Sequence, residues 1–390
     1  MSTSSGGEGL SREELLRYGR HLTLAEIGPQ GQRRLKAARV LVVGAGGLGS
    51  PASLYLAAAG VGCLGLVDGD RVETSNLQRQ VLYTTADVGR DKSTAARERL
   101  QALNPHVEVT SHATRLHPGN AAEIVRGYDL VVDGSDNFPT RYLVSDTCVR
   151  LGKPNVYGSV YRFEGQVAVF WAARGPCYRC LHPRSPEPGL VPDCATTGVL
   201  GVLPGVIGAL QAAEALKLVL GIGTPLVGRL LVCDLLGMTF RELQLPKDPH
   251  CPACGVTPRP DELELGKDGC DPVTADSNAP SPAPPPGNIA PRDLHAWLGG
   301  GGTPLLLDVR EPQEWRICNL PGSQLVPMRT LPARLQDLPQ DRDIVVYCHS
   351  GARSARAAGY LRERGFARVY NLRGGIDAWA DQVEPEMPRY

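Results

Sequence analysis

Arg39-Val-Leu-Val-Val-Gly-Ala-Gly-Gly-Leu-Gly49, running on through Ser50-Pro-Ala-Ser-Leu-Tyr-Leu-Ala-Ala-Ala-Gly60 to Leu64-Gly-Leu-Val-Asp68, reads as strand, glycine-rich turn, alanine-rich helix and returning strand. Gly44 and Gly46 allow a tight turn with close backbone approach, Gly49 lets helix and strand pack closely, and the helix N-terminus offers free N–H groups to phosphate. Asp68 lies about 20 residues past the turn, where a carboxylate can accept from a ribose hydroxyl. Taken alone, the stretch fits either a nucleotide cradle or a tight strand-to-helix turn without a ligand, and it does not say which nucleotide.

The rest of the chain narrows the choice. At 390 residues it exceeds one hydrophobic core, so two or three domains are expected. Lys plus Arg (41) equals Asp plus Glu (41), and 42% of residues are apolar, so the overall balance points to neither nucleic acid nor a membrane surface. Residues 1–9 are Ser/Gly-rich without a secretory pattern, and no apolar run approaches the length of a membrane span, which places the protein in the cytoplasm. In a long cytosolic chain, eleven cysteines suggest metal ligands or reactive thiols.

Ser11, with Glu14 three residues on, marks a helix start, and the helix is expected to end in Arg20, which by itself reads as a solvated basic end. After Asp68 the polar run through Asp70, Asn76, Arg79 and Gln80 lies at the carboxyl end of a strand, where open α/β sheets bind ligands. Lys92 opens the helix Ser93–Leu103; a strand (107–111), a helix (121–126) and the apolar strand Leu130–Asp133 follow, and this alternation predicts a doubly wound, mostly parallel sheet. Asp136, just beyond, is a candidate Mg²⁺ ligand or the N-cap of the next helix.

Cys177-Tyr-Arg-Cys180 and Cys251-Pro-Ala-Cys254 supply the four thiolates of a closed, structural zinc site; redox C-x-x-C chemistry is the alternative. Cys194, between the hooks, is either a buried small hydrophobe or a reactive thiol. Residues 267–288 are rich in Pro, Ser and Ala and read as an extended linker, in which Cys270 has no assigned role. Residues 289–390 form a smaller α/β unit. There the strand Asp343–Cys348 ends in a cysteine, and His349-Ser-Gly-Ala-Arg353-Ser354 leads to a helix expected over Ala355–Arg364. Backbone N–H groups of such a loop favour a thiolate or persulfide on Cys348, and Arg353 can stabilise sulfur or oxyanion charge.

With these residues laid out, residues 10–266 resemble the MoeB/ThiF family, relatives of ubiquitin-activating enzymes. The likeness rests on Arg17-Tyr-Gly-Arg20, Gly44-Ala-Gly-Gly-Leu-Gly49, Asp68-Gly-Asp70, Asn76-Leu-Gln-Arg79-Gln80, Lys92, Asp136-Asn-Phe-Pro-Thr-Arg141 and the paired cysteine hooks. Residues 289–390 resemble a rhodanese domain through Asp308-Val-Arg310, Cys348–Ser354 and Gly374-Gly-Ile-Asp-Ala-Trp379. The order of the two is that of the MoeZ-type fused adenylyltransferase/sulfurtransferases. The resemblance implies a Rossmann-like domain with a structural zinc site plus a smaller α/β rhodanese domain. It implies ATP-dependent adenylation of the C-terminal Gly-Gly carboxylate of a ubiquitin-like sulfur carrier, then sulfur transfer from Cys348 to give a thiocarboxylate. ATP would be held by Gly44, Gly46, Gly47, Gly49, Asp68, Asp70, Asn76, Arg79, Lys92, Asp136 and Asn137, with Mg²⁺ on Asp136. Cys194 would release the product, Arg20 would reach a neighbouring subunit of a homodimer, and a cysteine desulfurase would supply sulfur. The relatives often carry an acidic residue and Gly where this chain has Thr196 and Thr197, and Arg where it has His349. Two rivals remain at this point. One is an NAD-dependent oxidoreductase, since the same glycine pattern serves dinucleotides; the other is a non-catalytic scaffold for a carrier and a sulfur donor. The sequence names neither the carrier nor its pathway.

Overall fold

A computed structural model describes residues 9–185, 198–258 and 287–390. The chain forms two compact units, Met1–Cys270 and Asp271–Tyr390. Cys194, Cys270 and most of the expected linker lie outside the described residues.

In the first unit, β1 (Arg39–Val43), β2 (Cys63–Val67), β3 (Glu108–His112), β4 (Leu130–Asp133) and β5 (Asn155–Tyr161) are parallel neighbours; β6 (Glu164–Phe170), β7 (Arg229–Asp234) and β8 (Thr239–Gln244) extend the sheet antiparallel, in the order β3-β2-β1-β4-β5-β6-β7-β8. The expected mostly parallel sheet therefore has an antiparallel end. Short hairpins, which parallel strands cannot use, join β5 to β6 and β7 to β8, whereas a long helical stretch between Phe170 and Arg229 returns the chain from β6 to β7.

Alternate side chains of β1 explain why the sheet needs cover on both faces. Val40 and Val42 pack with α4 (Gly49–Ala59), α5 (Lys92–Leu103) and α9 (Val202–Leu220), whereas Leu41 and Val43 pack with α6 (Ala121–Arg126) and α7 (Phe138–Leu151). Two expectations change here. Ser11 does cap a helix with Glu14 in a reciprocal box, but α1 (Arg12–Arg17) breaks at Tyr18, and Arg20 falls in a separate turn, α2 (Gly19–Leu22), ahead of α3 (Gly28–Ala37). The Tyr18 ring is buried against Gly60, and its hydroxyl accepts from Asn104 Nδ2 (2.9 Å). Second, α9 is long and apolar enough to cross a membrane by length and composition, against the expectation that no run approaches that length. Its polar residues serve the sheet: Gln211 Nε2 donates to the carbonyls of Asp133 and Val156 (2.7 and 3.0 Å), and Glu214 accepts from the Leu226 N–H (2.7 Å).

The second unit is a parallel sheet in the order β11-β10-β12-β13-β9, from β9 (Asn288–Ile289), β10 (Leu305–Asp308), β11 (Gln324–Leu325), β12 (Ile344–Tyr347) and β13 (Val369–Leu372). Helices α10 (Pro291–Gly299), α11 (Pro312–Trp315), α12 (Ala352–Glu363) and α13 (Gly375–Gln382) cover it. Helix α12 starts three residues earlier than Ala355, so Arg353 lies in its first turn.

Candidate functional site

β1 and β4 are adjacent, and their following loops run to helices on opposite faces of the sheet, which makes a crevice of the kind in which open α/β sheets bind ligands. The two loops touch through backbone: a Cβ on Gly44 would lie 2.9 Å from the Gly134 carbonyl oxygen, and one on Gly49 only 1.8 Å from that of Gly44. Glycine is required there by contact.

Ala45, inside the turn, is pinned from both sides. Its N–H donates to Asp68 Oδ2 (2.8 Å), and its carbonyl accepts from the Tyr83 hydroxyl (2.8 Å), which also lies 3.2 Å from the Lys92 carbonyl. Asp68 Oδ1 accepts from the Asp70 N–H (2.8 Å), so both its oxygens hold the loops in shape while keeping spare lone pairs. Burial pushes the Asp68 carboxyl up, against the pull of Lys92 and the two amides. The largely buried Lys92 reaches Asp70 Oδ2 (3.2 Å), and Arg115 reaches Asp70 Oδ1 (3.2 Å). Burial would raise Asp70, but these two cations hold it below its ordinary value. Two cations on one carboxylate form a polar rim beside the turn that suits phosphate.

Arg79 and Gln80 overhang the turn: a Cβ on Gly47 would stand 3.6 Å from Arg79 Cγ, and one on Gly46 3.6 Å from Gln80 Nε2. Gln80 is buried with Oε1 lacking a hydrogen-bond partner, so a polar atom waits at the cradle. Asn76 is buried and accepts from the Glu73 N–H, holding the loop that carries Arg79. Across the crevice, Asn137 is the N-cap of α7, accepting from the Thr140 N–H (2.9 Å). Asp136 is thereby left exposed and uncommitted to the helix, not its cap. The loop is anchored by fully buried Asp133, whose Oδ1 accepts from the N–H and hydroxyl of Ser135 (3.0 and 2.6 Å); burial pushes Asp133 up.

The Sγ atoms of Cys177, Cys180, Cys251 and Cys254 lie within 4.8 Å of one another, with Cys177–Cys251 and Cys180–Cys254 at 3.5 Å and Cys177–Cys180 at 4.0 Å. A tetrahedral ion about 2.3 Å from four sulfurs needs separations of about 3.8 Å, so the cluster fits zinc, and four protein ligands leave no open position for chemistry. The first hook, through α8 (Tyr178–Leu181), is bolted to α7: Arg179 pairs with Asp146 through two hydrogen bonds (2.9 and 2.8 Å) and stacks on Tyr142.

In the second unit, buried Cys348 Sγ accepts from Gly351 N (3.1 Å), Ser354 N (3.4 Å) and Ser354 Oγ (3.3 Å). Three donors around one sulfur form an anion nest suited to thiolate or persulfide. Gly374-Gly-Ile braces it from behind. Ile376 N–H donates to the Cys348 carbonyl (2.9 Å) and Asp377 N–H to that of His349 (3.1 Å), and a Cβ on Gly375 would fall 2.2 Å from the His349 carbonyl oxygen. Arg353, in the first turn of the helix that follows the nest, is itself paired. Both its terminal nitrogens bind Glu314 (2.7 and 2.6 Å), since a largely buried guanidinium requires a carboxylate. Buried Arg310 is likewise paired with Asp308.

The structure thus gathers Gly44, Gly46, Gly47, Gly49, Asp68, Asp70, Asn76, Arg79 and Lys92 around one turn, with Asp136 and Asn137 opposite. It does not bring Arg20 there. Tyr18 packs at the Gly60 end of α4, about 16 Å of helix away from the glycine turn. Sequence reasoning missed Tyr83, Arg115, Asp133, Glu314 and Tyr390. Asp133, the last residue of an apolar strand, was the one with a readable signal, because a charge there requires partners.

The ThiF family model matches residues 18–253, and the rhodanese-like domain model matches residues 290–382. The probable adenylyltransferase/sulfurtransferase MoeZ of Mycobacterium tuberculosis (strain ATCC 25618 / H37Rv) is 48% identical over 387 residues, 98% of this chain and 96% of that protein. The sulfur carrier protein adenylyltransferase of Thermus thermophilus is 59% identical over 258 residues, 65% of this chain and 95% of that protein. Among solved structures, E. coli MccB with ATP shares the fold with a TM-score of 0.55 at 24% identity, over 64% of this chain and 77% of that one.

Proposed function

The chain belongs to the ThiF family and carries a rhodanese-like domain behind it, an adenylyltransferase/sulfurtransferase, and we propose that it activates the C-terminal Gly-Gly carboxylate of a ubiquitin-like sulfur carrier with ATP and sulfurates it from Cys348. The observation that carries this reading is that one chain holds both a cation-rimmed glycine cradle and a cysteine sulfur in a nest of three donors.

The carrier carboxylate attacks the α-phosphorus of ATP and pyrophosphate leaves, giving an acyl-adenylate. This displacement needs alignment and neutralised phosphate charge, a task we assign to Arg79 and Lys92 from their position beside the turn. Asp136, uncommitted to helix capping, is the carboxylate that would hold Mg²⁺ there, adding its charge to that of the side chains. The terminal sulfur of a Cys348 persulfide then attacks the acyl carbon and AMP leaves, forming an acyl disulfide. A second thiol, which we assign to Cys194, attacks the Cys348 sulfur of that bond. The thiocarboxylate leaves, and the resulting cysteine–cysteine disulfide is reopened by a cellular thiol.

For the carrier's docking we favour the β8 edge. All six of its residues are exposed, no strand pairs with its outer side among the described residues, and exposed Phe240 follows the exposed turn residues Leu236 and Met238, an apolar edge that natural proteins cover. Arg20 makes no side-chain ion pair among the described residues and stands away from its own chain's cradle, which supports the reading of a homodimer in which it serves the partner's site. A cytoplasmic enzyme with a cysteine desulfurase as sulfur donor completes the proposal.

The test is pyrophosphate–ATP exchange dependent on a Gly-Gly carrier, beside thiosulfate–cyanide sulfurtransfer. Asp136→Ala is expected to abolish the first and spare the second, and Cys348→Ala the reverse. Either substitution removing both activities from a folded protein would overturn this division of labour. NADH oxidation without exchange would favour an oxidoreductase, and carrier sulfuration surviving both substitutions would favour a scaffold.

A further inference from the structure

The side chain of Tyr390 lies against the Cys348 loop. Its hydroxyl accepts from Arg310 Nη1 (2.8 Å) and meets Glu314 Oε1 at 3.0 Å; because arginine can only donate, the tyrosine's own proton goes to Glu314. Its ring meets His349 edge-on, with centroids 4.5 Å apart. Glu314 grips Arg353 with both oxygens and takes the Glu311 N–H (2.9 Å) as well.

The two ends of this chain of contacts differ in rigidity. Arg310 is fully buried, clamped by Asp308 of β10 and by the Cys318 carbonyl (2.8 Å), so it is fixed to the sheet. Glu314 and Arg353 stand on a four-residue helix and on the first turn of α12, and each has a long side chain with several rotamers to lose. Burial would raise Glu314, but Arg353 and the Glu311 amide hold it below its ordinary value, so it is a carboxylate. Burial also raises the Tyr390 hydroxyl, which keeps its proton to donate.

We propose that Tyr390 is a positioning residue for sulfur transfer: its hydroxyl ties Glu314 to the sheet-fixed Arg310, so that Glu314 presents Arg353 in one orientation to an anionic donor arriving at Cys348. This rests on the reading of Arg353 as the group that stabilises donor charge.

The assay is thiosulfate–cyanide sulfurtransfer by the full chain. Cys348 takes the sulfane sulfur with release of sulfite, and cyanide removes it as thiocyanate. Tyr390→Phe keeps the ring and loses the hydroxyl. Loss of one hydrogen bond to a charged group is expected to raise the KM for thiosulfate about five-fold, with kcat nearly unchanged. Arg353→Ala should raise KM further, and in that background Tyr390→Phe should add nothing, because both act through the same guanidinium. Glu314→Gln should show the same non-additivity and serves as the second probe of the relay. An unchanged KM in Tyr390→Phe, or a full additive loss in the Arg353→Ala background, overturns the proposal. An unchanged KM in Arg353→Ala alone overturns instead the role of Arg353.

Discussion

Replacing Arg179 with methionine is expected to loosen α7, although Arg179 belongs to the cysteine hook and not to that helix. Its Nε and Nη2 donate to the two oxygens of Asp146 at 2.9 and 2.8 Å, and the side chains are 4% and 3% exposed. Methionine fills much of the space but leaves a buried carboxylate without its cation. Removing one partner of such a pair costs about 3–5 kcal/mol, and since each 1.4 kcal/mol is tenfold, backbone amides of α7 should exchange about a hundred- to a few-thousand-fold faster. Hydrogen exchange read by mass spectrometry on the full chain resolves this by segment, and peptides over β12 and α12 serve as the internal reference because they belong to the other unit. Replacing both partners, Arg179→Met with Asp146→Leu, removes the orphaned charge and should restore most of the protection. Since α7 follows directly on Asp136, the single substitution should also raise the KM for ATP. Exchange within tenfold of wild type in the single variant, or a double variant as fast as the single, would refute the reasoning.

Gly49→Ala places a Cβ 1.8 Å from a backbone oxygen that cannot move aside, so carrier-dependent pyrophosphate exchange should fall below detection while thiosulfate sulfurtransfer persists; retained exchange would refute it. Tyr83→Phe removes the one hydroxyl that joins the Ala45 and Lys92 carbonyls, a loss of about 1 kcal/mol, and the KM for ATP should rise several-fold in isothermal or kinetic titration. Glu314, held below the ordinary 4.5, contributes stability that is fully present above pH 4.5 and is lost as pH falls through its lowered value. The melting temperature of the second unit should therefore fall more steeply below pH 4.5 in wild type than in Glu314→Gln, and equal slopes would count against the pairing.

Much of this was legible in the chain because it is local. The apolar runs Leu130–Asp133 and Leu305–Asp308, the Ser11–Glu14 box and the glycine turn state their own conformations within a few residues. The cysteine hooks are readable for a different reason, since tetrahedral thiolate ligation limits the patterns that can supply it, and the structure closes the four sulfurs into one cluster. What failed to show was partnership. Nothing near Arg353 in sequence announces Glu314, and nothing near Tyr18 announces that Gly60 and Asn104 will receive its side chain.

The sequence by itself determined most of the elements, the two modules, the glycine turn, the four-cysteine cluster and the cysteine at the end of a strand, because each is a short-range pattern with its own stereochemistry. Only the tertiary structure decided that the loops after β1 and β4 meet at one crevice and that Tyr83 fastens Ala45 to the Lys92 turn. It alone left Asp136 outside its helix cap and bound Arg353 to Glu314 and Tyr390. Those contacts join residues brought together by the burial of strands and helices, and a buried polar group takes whichever partner packing delivers.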